Sequence, residues 1–316
     1  MMVVMKGALR VNRIFCYAVF LFLAFLGFRW WLGSPLELRE GVVELGKVCS
    51  EIAQDCFFVK QEVGREFAFR YIESMRHSKN GTRKLTIVSL SIQSNRISIN
   101  RGTILSPYVA FMATFPFTIG SLTMQKPGRV LSIGLGGGSF DMFLHTNQPQ
   151  LDITVIELDP AIVEVAEKWF GVVDDEKRRT LVADGTVFLK ESARSGEKYD
   201  VIALDASNNT DMEFTAPPKA FLNTEAIKDL RDSLSSTGIV VINLLTSRPE
   251  EVSALIRAHF TTCFLGMFDR TTNKVAACTM MGPQRMEDLA LHVRFGVTMA
   301  KLGLDSDFGN VAFTRF

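Results

Sequence analysis

The stretch VLSIGLGGGSF, residues 130–140, decides the fold. Its first four residues predict a short buried strand, and the glycines after it predict a sharp turn into a helix from Phe140. Such a turn brings backbone N–H groups and a helix N-terminus against a ligand. Because tight glycine turns also occur without a ligand, the rest of the chain must decide what this one does.

Downstream of this turn, predicted strands alternate with helical stretches. The strands are Val130–Ile133, Ile153–Glu157, Thr180–Ala183, Asp200–Asp205 and Ile239–Leu244. This alternation predicts an α/β fold, Rossmann-like and doubly wound, with a mostly parallel sheet covered on both faces. At the C-terminal end, the polar turn 269–273 joins two further apolar runs, Phe264–Phe268 and Lys274–Met280. These predict an antiparallel hairpin at the sheet edge.

The chain upstream of the glycine turn has a different pattern. A short helix is expected at Glu44–Asp55. Two strand-rich stretches, Phe57–Ile72 and Lys84–Ile104, then indicate a small β-hairpin unit. The apolar segment Tyr108–Ile119 is typical of a helix leading away from it.

The first 32 residues have a composition of their own. An uncharged run, Ile14–Phe28, follows three basic residues, and counting on to Leu32 gives a predicted transmembrane signal anchor at 14–32. A cleaved signal peptide, which would make the protein secreted, is the alternative. The positive-inside rule then predicts a single-pass membrane protein with a cytosolic N-terminus and a lumenal or extracellular catalytic domain. The complete division is a basic N-terminus (1–13), the anchor (14–32), the β-rich unit (42–118) and the Rossmann-like domain (119–316).

Four cysteines follow this segment, an even number that is compatible with a lumenal domain. If Cys49 and Cys56 lay on one helix, they would stand about 10 Å apart along its axis, too far to form a disulfide.

Composition excludes some classes of function. The net charge of this 316-residue chain is +1, so no basic face is expected and nucleic acid is not an expected partner. The four histidines are scattered without metal-ligand spacing, so no metal site is expected.

Acidic residues follow three successive predicted strands. Glu157 stands where a carboxylate can accept the hydroxyls of an adenosine ribose, and Asp159 reads as a helix N-cap before Pro160. Asp184, before Gly185, could accept a hydrogen bond from an adenine amino group. Asp205 ends the fourth strand, where open α/β sheets hold ligands. The nicotinamide fingerprint fails because position 139 is serine, and the GxGxG spacing fits an adenosyl-sulfonium compound better.

These motifs together resemble a known family. The runs VLSIGLGGGSF, VIELDPAIVEVAEKWFG, VADGTVFL, YDVIALDA and TAPPKAFL look like spermidine synthases. They look more closely like the C-terminal domain of the methyltransferase-like proteins that modify translation elongation factor 1-alpha. The resemblance implies a class I methyltransferase fold, S-adenosylmethionine as cofactor, and a family habit of forming homodimers. It implies cofactor-binding roles for Gly134, Gly136, Gly138, Glu157, Asp184 and Gly185, and a catalytic role for Asp205.

Departures from the family pattern narrow the chemistry. Spermidine synthases carry an Asp in the glycine loop where this chain has Gly137, and a second Asp where it has Asn208. Their Gln-Glu after the tyrosine matching Tyr108 is Val-Ala here. A polyamine site needs carboxylates to offset desolvation of the cation, so aminopropyl transfer is disfavoured. The methyltransferase relatives carry an acid where this chain has Ser207.

The sequence thus predicts a membrane-anchored, S-adenosylmethionine-dependent methyltransferase that acts on a protein or small amine. A catalytically inactive binding protein is the first alternative, and a polyamine aminopropyltransferase is the second. The expected substrate pocket comprises Tyr108, Ser207, Asn208, Phe214 and Phe221.

Overall fold

The computed structural model describes residues 40–74, 83–93, 96–208, 213–282, 288–304 and 311–316, which form two β-sheets and their covering helices. The N-terminal sheet has five antiparallel strands in chain order. They are β1 (Gly41–Ser50), β2 (Asp55–Val63), β3 (Ala68–Ser74), β4 (Arg83–Gln93) and β5 (Arg96–Ile99).

The helix expected at Glu44–Asp55 is wrong. The residues form β1, a turn and the first residue of β2, and antiparallel pairing sets Cys49 opposite Cys56. These two cysteines form a disulfide with a Cα–Cα distance of 3.9 Å, so the argument against bridging fails with the helix it assumed. A second disulfide joins Cys263 to Cys278.

The C-terminal sheet has nine strands. They are β6 (Gly128–Ile133), β7 (Leu151–Glu157), β8 (Arg178–Val182), β9 (Tyr199–Leu204), β10 (Phe214–Ala216), β11 (Leu234–Thr246), β12 (Thr262–Phe268), β13 (Lys274–Thr279) and β14 (Val311–Arg315). Their order is β14-β12-β13-β11-β9-β6-β7-β8, with β10 pairing to β11. The run from β11 to β8 is parallel, and β12, β13 and β14 pair antiparallel.

Seven α-helices and a 3-10 helix, Lys219–Phe221, accompany these strands in the described residues. The α-helices are α1 (Pro107–Ile119), α2 (Asp141–Asn147), α3 (Pro160–Phe170), α4 (Gly185–Ser195), α5 (Thr224–Asp232), α6 (Pro249–Arg257) and α7 (Asp288–Lys301). The predicted Rossmann-like sheet with an antiparallel edge is therefore confirmed, although β14 extends that edge beyond the expected hairpin.

Buried apolar side chains fill the space on both faces of the large sheet. On one face, α1 contributes Phe111 and Phe115, whose rings contact Phe264, Phe295 and Phe313. Helix α1 thus packs on the large sheet. The division at 118/119 remains a prediction.

The small sheet packs on α3. Phe57 and Val59 on β2 and Ile72 on β3 form one buried cluster with Val165 and Phe170 of α3. Because α3 follows directly after β7, this packing holds the small sheet near the strand ends of the large one.

The membrane localisation predicted from the sequence is corrected. Among the described residues, no helix is both long and apolar enough to cross a bilayer. The predicted anchor at 14–32 lies outside the described residues. We do not retain the prediction of a single-pass membrane protein.

Candidate adenosyl-binding and acceptor site

Four neighbouring parallel strands, β9, β6, β7 and β8, end at one edge of the large sheet. In that spatial order, the residues at or just after their ends are Asp205, Gly134, Glu157 and Asp184. Ligands of open α/β sheets bind at the carboxyl ends of the strands. The structure therefore brings the glycine turn and all three predicted acids to one edge.

The glycine turn has a conformation that suits glycine. Gly134, Gly136 and Gly138 have φ values of +98°, +54° and +72°, which side chains with a Cβ rarely adopt. A Cβ on Gly134 would also stand 2.5 Å from the backbone oxygen of Asp205. The backbone atoms at the ends of β6 and β9 therefore lie close together.

The carboxylate of Glu157 is held by the backbone around it. Its Oε2 accepts the N–H of Leu135 at 2.9 Å, and its Oε1 accepts the N–H of Asp159 at 2.9 Å. Burial raises the pKa of Glu157, and these backbone donors oppose that shift. Asp159 is the N-cap of α3, as predicted, with its side chain accepting the N–H of Ala161. Glu157 is therefore fixed in place immediately beside the glycine turn.

Asp184 is the N-cap of α4, a role that the sequence analysis assigned only to Asp159. Its Oδ1 accepts the N–H groups of Thr186 and Val187 and the hydroxyl of Thr186. The hydroxyl of Thr186, first among these donors, lowers the pKa of Asp184, so the carboxylate is ionised at neutral pH. All three of these hydrogen bonds end on Oδ1, and none of them ends on Oδ2.

Phe221 lies beside Gly185, the residue that follows Asp184. Its Cζ stands 3.1 Å from the point that a Cβ on Gly185 would occupy. The ring is buried in the apolar cluster that includes Ile133. The Phe221 ring therefore packs beside the start of α4, next to Asp184. Its role in the acceptor pocket stays a prediction.

Asp205, directly after β9, accepts hydrogen bonds at both carboxylate oxygens. Its Oδ1 accepts the side-chain amide of Asn243 at 2.7 Å, and its Oδ2 accepts the Tyr108 hydroxyl at 3.4 Å. Burial raises the pKa of Asp205 to about 6, and the bonds from Asn243 and Tyr108 act in the opposite direction. A carboxylate with this pKa can exchange a proton near neutrality.

The other predicted pocket residues lie just beyond Asp205. Ser207 is exposed, and the backbone N–H of Asn208 donates to the oxygen of Thr215 at 2.7 Å. Phe214 is buried and pairs with Thr246 across β10 and β11. The described part of this loop thus returns to the large sheet close to the end of β11.

Strand β4 of the small sheet packs against the glycine turn. A Cβ on Gly137 would stand 2.8 Å from Cδ1 of Phe170 and 3.0 Å from Cγ2 of Thr86 on β4. The hydroxyl of Ser139 donates to the carbonyl of Ile87 at 3.3 Å. The position where spermidine synthases carry an Asp is therefore filled by packed side chains.

A buried ion pair anchors the helix that follows the turn. Arg178 on β8 is 0% exposed and lies 2.7 Å from Asp141, the first residue of α2, which is 1% exposed. Arg178 also pairs with Asp174 at 2.5 Å. This pairing holds the N-terminus of α2, and with it the glycine turn, against the outer strand β8.

Sequence reasoning missed Asn243 as a site residue. It is 4% exposed and lies between Ile242 and Leu244 in the apolar run of β11. A polar residue inside a strand that is otherwise apolar is a detectable signal, because burying an amide without partners is costly.

Comparison with known proteins agrees with this architecture. Residues 116–263 match the family described as the spermine/spermidine synthase domain. Over 175 residues the chain is 30% identical to the eEF1A lysine and N-terminal methyltransferase of Xenopus laevis. The aligned region covers 54% of this chain and 25% of that protein. The chain thus spans about a quarter of the length of the first curated relatives it matches.

Two solved structures share the fold. Human methyltransferase-like protein 13 in complex with SAH has a TM-score of 0.56 at 24% identity, covering 65% of this chain and 92% of that one. A probable spermidine synthase from Corynebacterium glutamicum has a TM-score of 0.62 at 14% identity, covering 85% and 89%.

A parallel sheet with a glycine turn and acids at successive strand ends defines a Rossmann-like nucleotide-binding domain. The sequence matches and the shared fold together support the class I methyltransferase/spermidine synthase-like superfamily for this chain.

Proposed function

We propose that this protein is an S-adenosylmethionine-dependent methyltransferase whose acceptor is an amine, most readily one on a protein. The observation that carries the proposal is the juxtaposition of Gly134, Glu157, Asp184 and Asp205 at one sheet edge. The curated relatives named as eEF1A lysine and N-terminal methyltransferases support the protein acceptor.

The residues present fit this cofactor. Glu157 is fixed by two backbone donors and has acceptor capacity left for ribose hydroxyls. Leu158 and Val187, beside Glu157 and Asp184, are large apolar side chains that are 51% and 54% exposed. Apolar side chains flanking a carboxylate suit a flat base with an amino group.

The cofactor, when bound, supplies a methyl group on a sulfonium sulfur that is already a good leaving group. The protein therefore has to hold a neutral amine in line with that methyl carbon. Asp205 orients the amine and takes up its proton, and its pKa of about 6 keeps it ionised above neutrality. Tyr108 restrains the second carboxylate oxygen.

A polyamine aminopropyltransferase is less well supported. The loop acid that spermidine synthases use is replaced by Gly137, and Phe170 and Thr86 occupy the space of its side chain. Adenosyl binding without methyl transfer is the second candidate. It is favoured by the exposed Ser207, which stands where the methyltransferase relatives carry an acid.

The test is transfer of a radiolabelled methyl group to peptides that present either a free N-terminus or lysine. Native protein is expected to label at least one peptide. Asp205→Asn should abolish transfer, while Glu167→Gln, an exposed change on α3, should leave it intact. Cofactor binding with no transfer to any amine would favour the binding protein, and transfer from decarboxylated cofactor to a polyamine would favour the aminopropyltransferase.

A further inference from the structure

A chain of polar side chains links the β12–β13 turn to Asp205. At its outer end, the hydroxyl of Thr271 donates to Oδ1 of Asn273 at 2.7 Å. The amide of Asn273 then donates to Oδ1 of Asn243 at 2.8 Å. The amide of Asn243 in turn donates to Oδ1 of Asp205 at 2.7 Å. Each group donates to the next, so the chain has one direction.

That direction is set at the Asp205 end, because an ionised carboxylate can only accept. At the other end, the N–H of Asn273 donates to Oγ1 of Thr271 at 3.2 Å. The same hydroxyl donates its proton to Oδ1 of Asn273. An asparagine has oxygen on one side of its amide and NH₂ on the other, so each link orients the next. Asn243 thereby presents its NH₂ to Asp205.

We infer that Asn243 and Asn273 are positioning residues that hold the Asp205 carboxylate with Oδ1 engaged and Oδ2 turned toward the acceptor amine. The inference deepens the proposed function and rests on it for the role of Asp205. Asn243 is 4% exposed in an apolar strand, where an amide is costly unless both ends are bonded. Both ends are bonded, and one of them ends on Asp205.

The groups around Asp205 agree with this role. Tyr108 on α1 and Asn243 on β11 donate to it, and both bonds favour the charged form against the effect of burial. The bond from Asn243 is the shorter of the two, at 2.7 Å against 3.4 Å. Loss of the Asn243 donor should therefore shift the ionisation of Asp205 more than loss of the tyrosine hydroxyl.

The test is the titration of the Asp205 carboxyl followed by carbon-13 NMR on the full chain, with Asp205→Asn assigning the signal. Asn243→Leu should raise the pKa of Asp205 by about 1–2 units, the worth of a hydrogen bond to a charged group. Thr271→Val should raise it by less, because the bond from Asn243 to Asp205 remains and only the outermost donor of the chain is lost. Thr271→Ser should restore the native value.

Thr279→Val is the matched control. Its hydroxyl donates to the carbonyl of Gly238 at 2.7 Å between β13 and β11, outside the chain that ends on Asp205. A native Asp205 pKa in this variant supports the inference, and an equal shift overturns it. An unchanged pKa in both Asn243→Leu and Thr271→Val also overturns it. If Asn243→Leu fails to fold, the turn variants Thr271→Val and Thr271→Ser decide alone.

The titration needs no cofactor and no acceptor. Failure to bind S-adenosylmethionine would defeat the proposed function and leave the titration result standing. Binding with an unshifted titration would defeat the positioning role alone.

Discussion

Gly137→Ala tests how closely the small sheet covers the glycine turn. The added Cβ would stand 2.8 Å from Cδ1 of Phe170 and 3.0 Å from Cγ2 of Thr86. Carbon atoms in good contact are separated by about 3.5–4.0 Å, so the overlap is several tenths of an ångström with two side chains. Overpacking of this kind costs about 1–3 kcal/mol. The larger Gly137→Asp, which restores the spermidine synthase pattern, should cost more because it also buries a carboxylate.

The assay is urea unfolding followed by circular dichroism, with Gly296→Ala as the control. Gly296 lies in α7 with nothing within 4 Å of its added Cβ, so alanine there should stabilise the protein by about 0.5–1 kcal/mol. Opposite signs for the two glycine variants are expected. Thr86→Ala in the Gly137→Ala background should recover part of the loss.

A neutral or stabilising Gly137→Ala would refute the packing of β4 and α3 on the glycine turn. It would also remove the steric argument against an aminopropyl donor at this position. Gly137→Asp that folds normally and gains transfer from decarboxylated cofactor would count against the methyltransferase proposal as well.

Three further predictions concern charged groups. The rate of methyl transfer should rise with pH through about 6, because Asp205 takes up the amine proton only when it is ionised. A rate that stays constant between about pH 5 and pH 7, the range around this pKa, would contradict the role of Asp205. The pKa of Asp205 is raised on folding, so the folded state binds more protons than the unfolded state between about 3.8 and 6, and stability falls with pH there. The melting temperature of Asp205→Asn, measured relative to that of the native protein, should accordingly be higher at pH 7.5 than at pH 4. A larger relative gain at pH 4 would contradict the raised pKa of Asp205. Asp141→Ala removes the buried partner of Arg178 and leaves it Asp174, whose side chain is 45% exposed, so it should cost about 3 kcal/mol by chemical denaturation, whereas exchange of both Arg178 and Asp141 for apolar residues should cost less.

Much of the large sheet could be predicted from the sequence because its signals are local. The parallel strands β6, β7 and β9 contain short apolar runs, and a glycine or an acid marks where each of them ends. The helix of Tyr108–Ile119 was likewise visible as an apolar segment and is confirmed as α1. The position of the acids at one edge follows from the rule that open α/β sheets hold their ligands at the carboxyl ends of the strands.

The errors in the predicted fold occur where a strand depends on pairing with residues distant in sequence. Strand β1 carries a register shift between Glu44 and Gly46, which breaks the alternation that identifies a strand. Strand β14 is five residues long and becomes a strand only by pairing with β12. Asn273 joins the site through a turn that is 30 residues from Asn243 in sequence, so no local pattern announces it.

The central claim is that the sheet edge around Glu157 binds S-adenosylmethionine, and calorimetric titration of the full chain tests it most directly. Native protein should bind the cofactor and its demethylated product. Glu157→Ala should weaken binding by about 10–100-fold, the worth of hydrogen bonds to a charged group, while Glu167→Gln should not change it. No heat of binding at millimolar cofactor, or equal affinity in native protein and Glu157→Ala, would contradict the account.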